Sequence, residues 1–178
     1  MSQGTVTPYT PFMHSRASLL LVSALAVSFS YAEDQTDKQP SAAMMAPVTQ
    51  LATFMSRLPP GEHATAFAKR GVCIVENFAP FVFCGANAVA RWEAGFRAHV
   101  SDLTELAAAF GAAHDFNTSG NRAYFSLPTT WTGLASGKHF EERGAWAFVL
   151  QKTRGGAQDA EWRILGYGWG VTAYTESP

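Results

Sequence analysis

From Asp102 onward the sequence runs as four long strand-like segments, Leu106 to Phe116, Arg122 to Trp131, His139 to Lys152 and Glu161 to Tyr174. Between them stand Thr118-Ser119-Gly120-Asn121, Ala135-Ser136-Gly137-Lys138 and Thr153-Arg154-Gly155-Gly156, each supplying the residues that a hairpin bend requires. Long strands joined by short turns predict an antiparallel meander. In the third segment Trp146, Phe148 and Leu150 share one face and Ala145, Ala147 and Val149 the other, the pattern of a sheet covered differently on its two sides. In the last, Leu165, Tyr167, Trp169 and Val171 alternate with Ile164, Gly166, Gly168 and Gly170. A face bare of side chains lets the strand bend sharply or another backbone approach it. The sheet is therefore expected to be strongly curved.

The residues before the meander read mainly as helix. Val48, Leu51, Phe54 or Met55, and Leu58 make one apolar stripe that Pro59-Pro60-Gly61 ends. A second short helix is expected over Glu62 to Lys69, closed by Gly71. Val72 to Val75 and Phe81 to Cys84 read as a hairpin around Asn77 to Pro80. Ala88, Val89, Trp92, Phe96 and Val100 then place a longer helix over about Ala86 to Val100. Helices followed by a meander give an α+β class, with the N-terminal helices packed on the curved antiparallel sheet as a cone. A chain of 178 residues with 47% hydrophobic content suits one domain with a real core.

The first residues read as an address. Arg16, with His14 nearby, precedes an uncharged run from Ala17 to Phe29, and Ser30-Tyr31-Ala32 offers small residues at the −3 and −1 positions of a cleavage site. Residues 1 to 32 are thus expected to be a signal peptide, with Met13 a plausible start, followed by a flexible leader over 33 to 46 and the domain over 47 to 178. An apolar run of about 13 residues is short of the roughly 20 that span hydrocarbon, so no stable membrane anchor is expected after cleavage. The formal charge is −1, and loss of Arg16 makes it one unit more negative. Neither value offers a footprint for nucleic acid. The expected location is the periplasm or the exterior.

Several local sequences, in this order, resemble the nuclear transport factor 2-like superfamily, which includes the SnoaL-like cyclases and ketosteroid isomerase. They are Cys73-Ile-Val-Glu76-Asn-Phe78-Ala-Pro80, Gly85 before a helix with Ala88 and Trp92, Asn121-Arg122-Ala123-Tyr124, Gly144-Ala-Trp146-Ala-Phe148-Val-Leu150, and Trp162-Arg163-Ile164 with Trp169. The resemblance implies a cone-shaped pocket, frequently apolar, and frequently a homodimer packed through the sheets. The superfamily holds enzymes, binding modules and assembly domains, so fold leaves function open.

Glu76 stands at the end of the first strand, where the resemblance implies an acidic residue; in the family's isomerases an acid near this strand abstracts a proton, and burial in an apolar cone raises such a carboxyl. Its competing role is to cap the turn or pair with an arginine. Tyr124, Tyr167 and Asp115 are available by type as hydrogen-bond donors to an oxyanion. The family's tyrosine on the first helix has no counterpart among Val48 to Lys69, which counts against steroid isomerisation. His114, Asp115 and His139 read as solvent-facing strand residues. Trp92, Phe96, Tyr167 and Trp169 are candidate ligand-binding residues, with core packing as the alternative. No two histidines or cysteines have metal-ligand spacing, so no metal and no cofactor is expected. Cys73 and Cys84 lie at similar distances from the hairpin turn and are either a cross-strand disulfide or two buried thiols. Three functions follow from these residues: an exported binder of a small apolar molecule, a cofactor-free isomerase, cyclase or dehydratase with Glu76 as base, and a non-catalytic dimerisation or interaction module.

Overall fold

The computed structural model describes residues 39–153 and 161–177; the expected signal peptide and the turn around Gly155 lie outside them. Helix α1 spans Ala42–Arg57 and α2 Ala88–His99, and the strands are β1 Cys73–Val75, β2 Val82–Cys84, β3 Leu103–Phe110, β4 His114–Ser119, β5 Arg122–Ala135, β6 Lys138–Lys152 and β7 Trp162–Ser177. One seven-stranded sheet runs β2-β1-β7-β6-β5-β3, with β4 also on β5. This is the expected α+β cone: a curved, unclosed sheet with the helices on its concave side. No described helix is long and apolar enough to cross a membrane.

Helix α1 starts earlier than its apolar stripe suggests. Ser41 accepts from the Met44 amide through its side chain, and Ala42, Ala43, Met44 and Met45 are strong helix formers. They carry the helix through Pro47, so residues 42–46 of the expected leader are helical. Val48, Leu51 and Met55 are buried as the stripe predicts. Leu58 ends the helix in the left-handed region at φ 41°, its amide bonded to the Phe54 carbonyl.

No second helix forms over Glu62 to Lys69. Residues 66–68 run alongside β7 instead: the Ala68 amide donates to the Ile164 carbonyl at 2.8 Å and the Ile164 amide to the Ala66 carbonyl at 3.0 Å. Ala66, Phe67 and Ala68 are all buried, which three successive residues of a surface helix cannot be. Long-range pairing overrides a local period here.

The segment expected as one strand over Leu106 to Phe116 is two strands on the same edge of β5. β3 pairs with its second half and β4 with its first. At the break Gly111 donates to the Pro128 carbonyl at 2.9 Å, and the Gln39 side chain bonds both the amide and the carbonyl of Ala113.

The curvature has a clear origin. β7 carries one extra residue relative to β6 at Leu165 and another at Thr172, where the register shifts, and each bulge bends and twists the strand. The first bulge also corrects the expected face assignment, because it turns Ile164 inward with Tyr167 and Trp169. Gly166 faces β1, where any Cβ would collide with the Cys73 carbonyl oxygen. The glycine thus permits the parallel β1–β7 pairing of Cys73, Ile74 and Val75 with Gly166, Tyr167 and Gly168. Cys73 and Cys84 face each other in the β1–β2 register and form a disulfide.

Candidate functional site

The narrow interior of the cone is filled by aromatic rings. Trp146 from β6 packs against Tyr167 and Trp169 from β7 at 5.7 and 5.9 Å between centroids. Trp92 from α2 meets Phe67 at 5.4 Å and Phe96 at 5.6 Å. Trp92, Trp146 and Phe148 are at most 1% exposed. Trp92, Phe96, Tyr167 and Trp169, the candidate ligand residues, are thus chiefly core, and only Phe96 reaches a cavity among the described pockets.

Glu76 is embedded in this packing at 6% exposure. Its Oε1 accepts from Trp92 Nε1 at 2.9 Å and from the Tyr167 hydroxyl. Burial pushes its carboxyl above the usual range; the two donors oppose that rise, and the charge of Glu142 adds to it. Burial also holds the Tyr167 hydroxyl well above its ordinary value, reinforced by the Glu76 charge. Of the residues expected around the site, the structure brings Glu76, Trp92 and Tyr167 together. Tyr124 is 41% exposed on the opposite face of β5 from Phe125. Asp115 is exposed at the irregular start of β4 with φ 54°. Neither makes a hydrogen bond to Glu76. His114 and His139 are exposed, as expected.

Open space lies further along the concave face. A cavity of about 250 Å³ sits between the C-terminal end of α2 and the wide end of the sheet. Phe96, Val100, Leu103, Leu106, Trp131, Phe140 and Tyr174 supply its apolar and aromatic lining, and its polar groups are Asn77, His99 and Glu142. Glu142 pairs across the sheet with Trp131 on β5 and Tyr174 on β7, so an aromatic side chain stands on each flank of the carboxylate. Trp169 Nε1 donates to Glu142 Oε1 at 3.1 Å. That reach depends on Gly144, where a Cβ would strike the Trp169 ring. Partial burial raises the Glu142 carboxyl above its usual range, while the Trp169 donor and the nearby His99 restrain it. His99 stacks on Phe78 at 4.8 Å.

Glu142 and His99 were not among the expected site residues. The signal for Glu142 is present: it continues, by alternation, the inward face of Trp146, Phe148 and Leu150 through Gly144. His99 follows only from where α2 ends. Among the described residues no group of three or more acidic, histidine or cysteine side chains is placed to hold a metal.

No family model and no curated protein matches the sequence. Solved structures share the fold. A hexachlorocyclohexane dehydrochlorinase from Novosphingobium barchaimii aligns at 7% identity and TM-score 0.60 over 76% of this chain and 88% of its own. A scytalone dehydratase-like protein from Novosphingobium aromaticivorans aligns at 13% and 0.59, over 76% and 86%. A nuclear transport factor 2-like superfamily protein from Salmonella enterica aligns at 13% and 0.56, over 71% and 87%. The chain has the nuclear transport factor 2-like fold.

Proposed function

We propose that this is an exported small-molecule-binding protein, whose ligand occupies the cavity beneath the C-terminal end of α2. The observation that carries this reading is the cavity, about 250 Å³ walled mostly by apolar and aromatic side chains with a few convergent polar groups. That is slightly below the roughly 300–1,000 Å³ of typical ligand pockets, so the ligand is small. The Cys73–Cys84 bond supports the export part of the reading. The test is ligand-detected NMR with a library of small apolar molecules on the wild type and on Leu106→Trp, which fills the cavity. Binding to the wild type that is lost in a folded Leu106→Trp is expected; equal binding to both proteins removes the cavity as the site. A native mass spectrum of the protein from the exporting cell adds two checks, a mass corresponding to cleavage after Ala32 and a homodimer.

One observation favours a second reading, proton-transfer chemistry in the same cavity: Glu142 is a carboxylate with a raised pKa facing open space. Two structural neighbours are named a dehydrochlorinase and a dehydratase. Glu76 suits the role of base less well, because it is buried, accepts from two donors and does not line the cavity. Under this reading Glu142→Gln abolishes turnover of an identified substrate and Glu76→Gln retains it; the opposite pattern restores Glu76 as the base.

A further inference from the structure

The wall of the α2 cavity is asymmetric in charge. The charges of Glu142 from β6, Glu176 from β7 and Asp102 from the α2–β3 turn all act on the Tyr174 hydroxyl. Glu176 accepts that hydroxyl at 2.9 Å. No lysine or arginine lines the cavity, and Glu142 takes part in no ion pair among the described residues, since its one hydrogen bond comes from the neutral Trp169 indole. α2 also ends here, with His99 and Val100 in the wall, so the negative end of the helix dipole adjoins the same space. A partly buried carboxylate with no lysine or arginine against it, flanked by aromatic faces, suits one class of ligand. Ring faces and carboxylates both attract positive charge.

We propose that the cavity selects an organic cation, a small ammonium whose charged head sits at Glu142 between Trp131 and Tyr174 and whose apolar body lies against Phe96, Leu103 and Leu106. This rests on the binding reading above and names its ligand class. The titratable groups in the cavity wall are Glu142, His99 and Tyr174; the charges of Asp102 and Glu176 reach the Tyr174 hydroxyl, and those of Glu76 and Glu142 act on one another.

The test uses two molecules of nearly the same shape, trimethylphenylammonium and tert-butylbenzene, titrated by NMR chemical shift at pH 7.5. The cation is expected to bind the wild type about tenfold more tightly than the neutral isostere. Glu142→Gln brings the two within about twofold, and Glu142→Asp retains a preference; near-UV circular dichroism confirms that each variant is folded. On acidification toward pH 4.5, above which burial holds the Glu142 carboxyl, the cation weakens as Glu142 takes up a proton, while tert-butylbenzene is unaffected. Equal affinities in the wild type, or a cation that binds more tightly in acid, overturn the cation inference and leave the cavity as a binding site. Absence of binding by both molecules overturns the cation inference, while the binding reading stands or falls on the library titration of the wild type against Leu106→Trp.

Discussion

One oxygen of Glu76 joins three elements, because Trp92 on α2 and Tyr167 on β7 both donate to a carboxylate that follows β1. Truncation leaves two buried donors without an acceptor, so Glu76→Ala is expected to lower unfolding free energy by about 3 kcal/mol in denaturant titration. Glu76→Gln retains an acceptor and removes the ionisation. The pH dependence has a definite sign. The folded-state carboxyl lies above 4.5, its usual value, so the native state binds more protons than the unfolded state just above that pH, and stability falls as pH rises through this window. Glu142 acts in the same direction. Glu76→Gln should therefore gain stability relative to the wild type as pH rises from 4.5 toward neutrality; a constant difference across that range removes Glu76 as a source of the pH dependence.

The β1–β2 hairpin is the smallest element, two strands of three residues each, and it depends on what holds it. Its disulfide joins residues separated by 11 in sequence, and in the entropic account a loop of that size adds about 2–3 kcal/mol. Cys73→Ala with Cys84→Ala should lower the thermal midpoint, and reduction of the wild type should lower it similarly; an unchanged midpoint would mean that β7 alone holds the hairpin. This hairpin was legible in the sequence because its signals are local: apolar runs, a turn and paired cysteines. So were α2 and the two described hairpin turns of the meander, at Gly120 and at Gly137. Residues 62–69 were misleading because Ala64, Phe67 and Ala68 imitate a helical stripe while the Ile164 backbone, nearly a hundred residues away, dictates extended pairing. The break at Gly111 and the bulge at Leu165 were likewise invisible, since each exists only relative to a partner strand.

Across the whole molecule, curvature divides the concave face into a packed region and an open one. Trp146, Tyr167 and Trp92 close the first, and α2 roofs the second above Glu142. Sequence chemistry singled out Glu76, which burial in an aromatic core explains, and passed over Glu142, whose alternation was visible but whose cavity depends on where α2 stops. Composition cannot separate the two glutamates; only the position of the roof does. The parallel pairing of β1 with β7 has a further consequence, in time rather than space. The strand that shelters the hairpin is the sixteen-residue β7, the last of the seven described strands. While the chain is being made, β1 has no neighbour on that side, Glu76 lacks the Tyr167 hydroxyl, and the aromatic column is missing one wall. Contacts so distant in sequence form slowly, and the cone cannot close until β7 itself has been made.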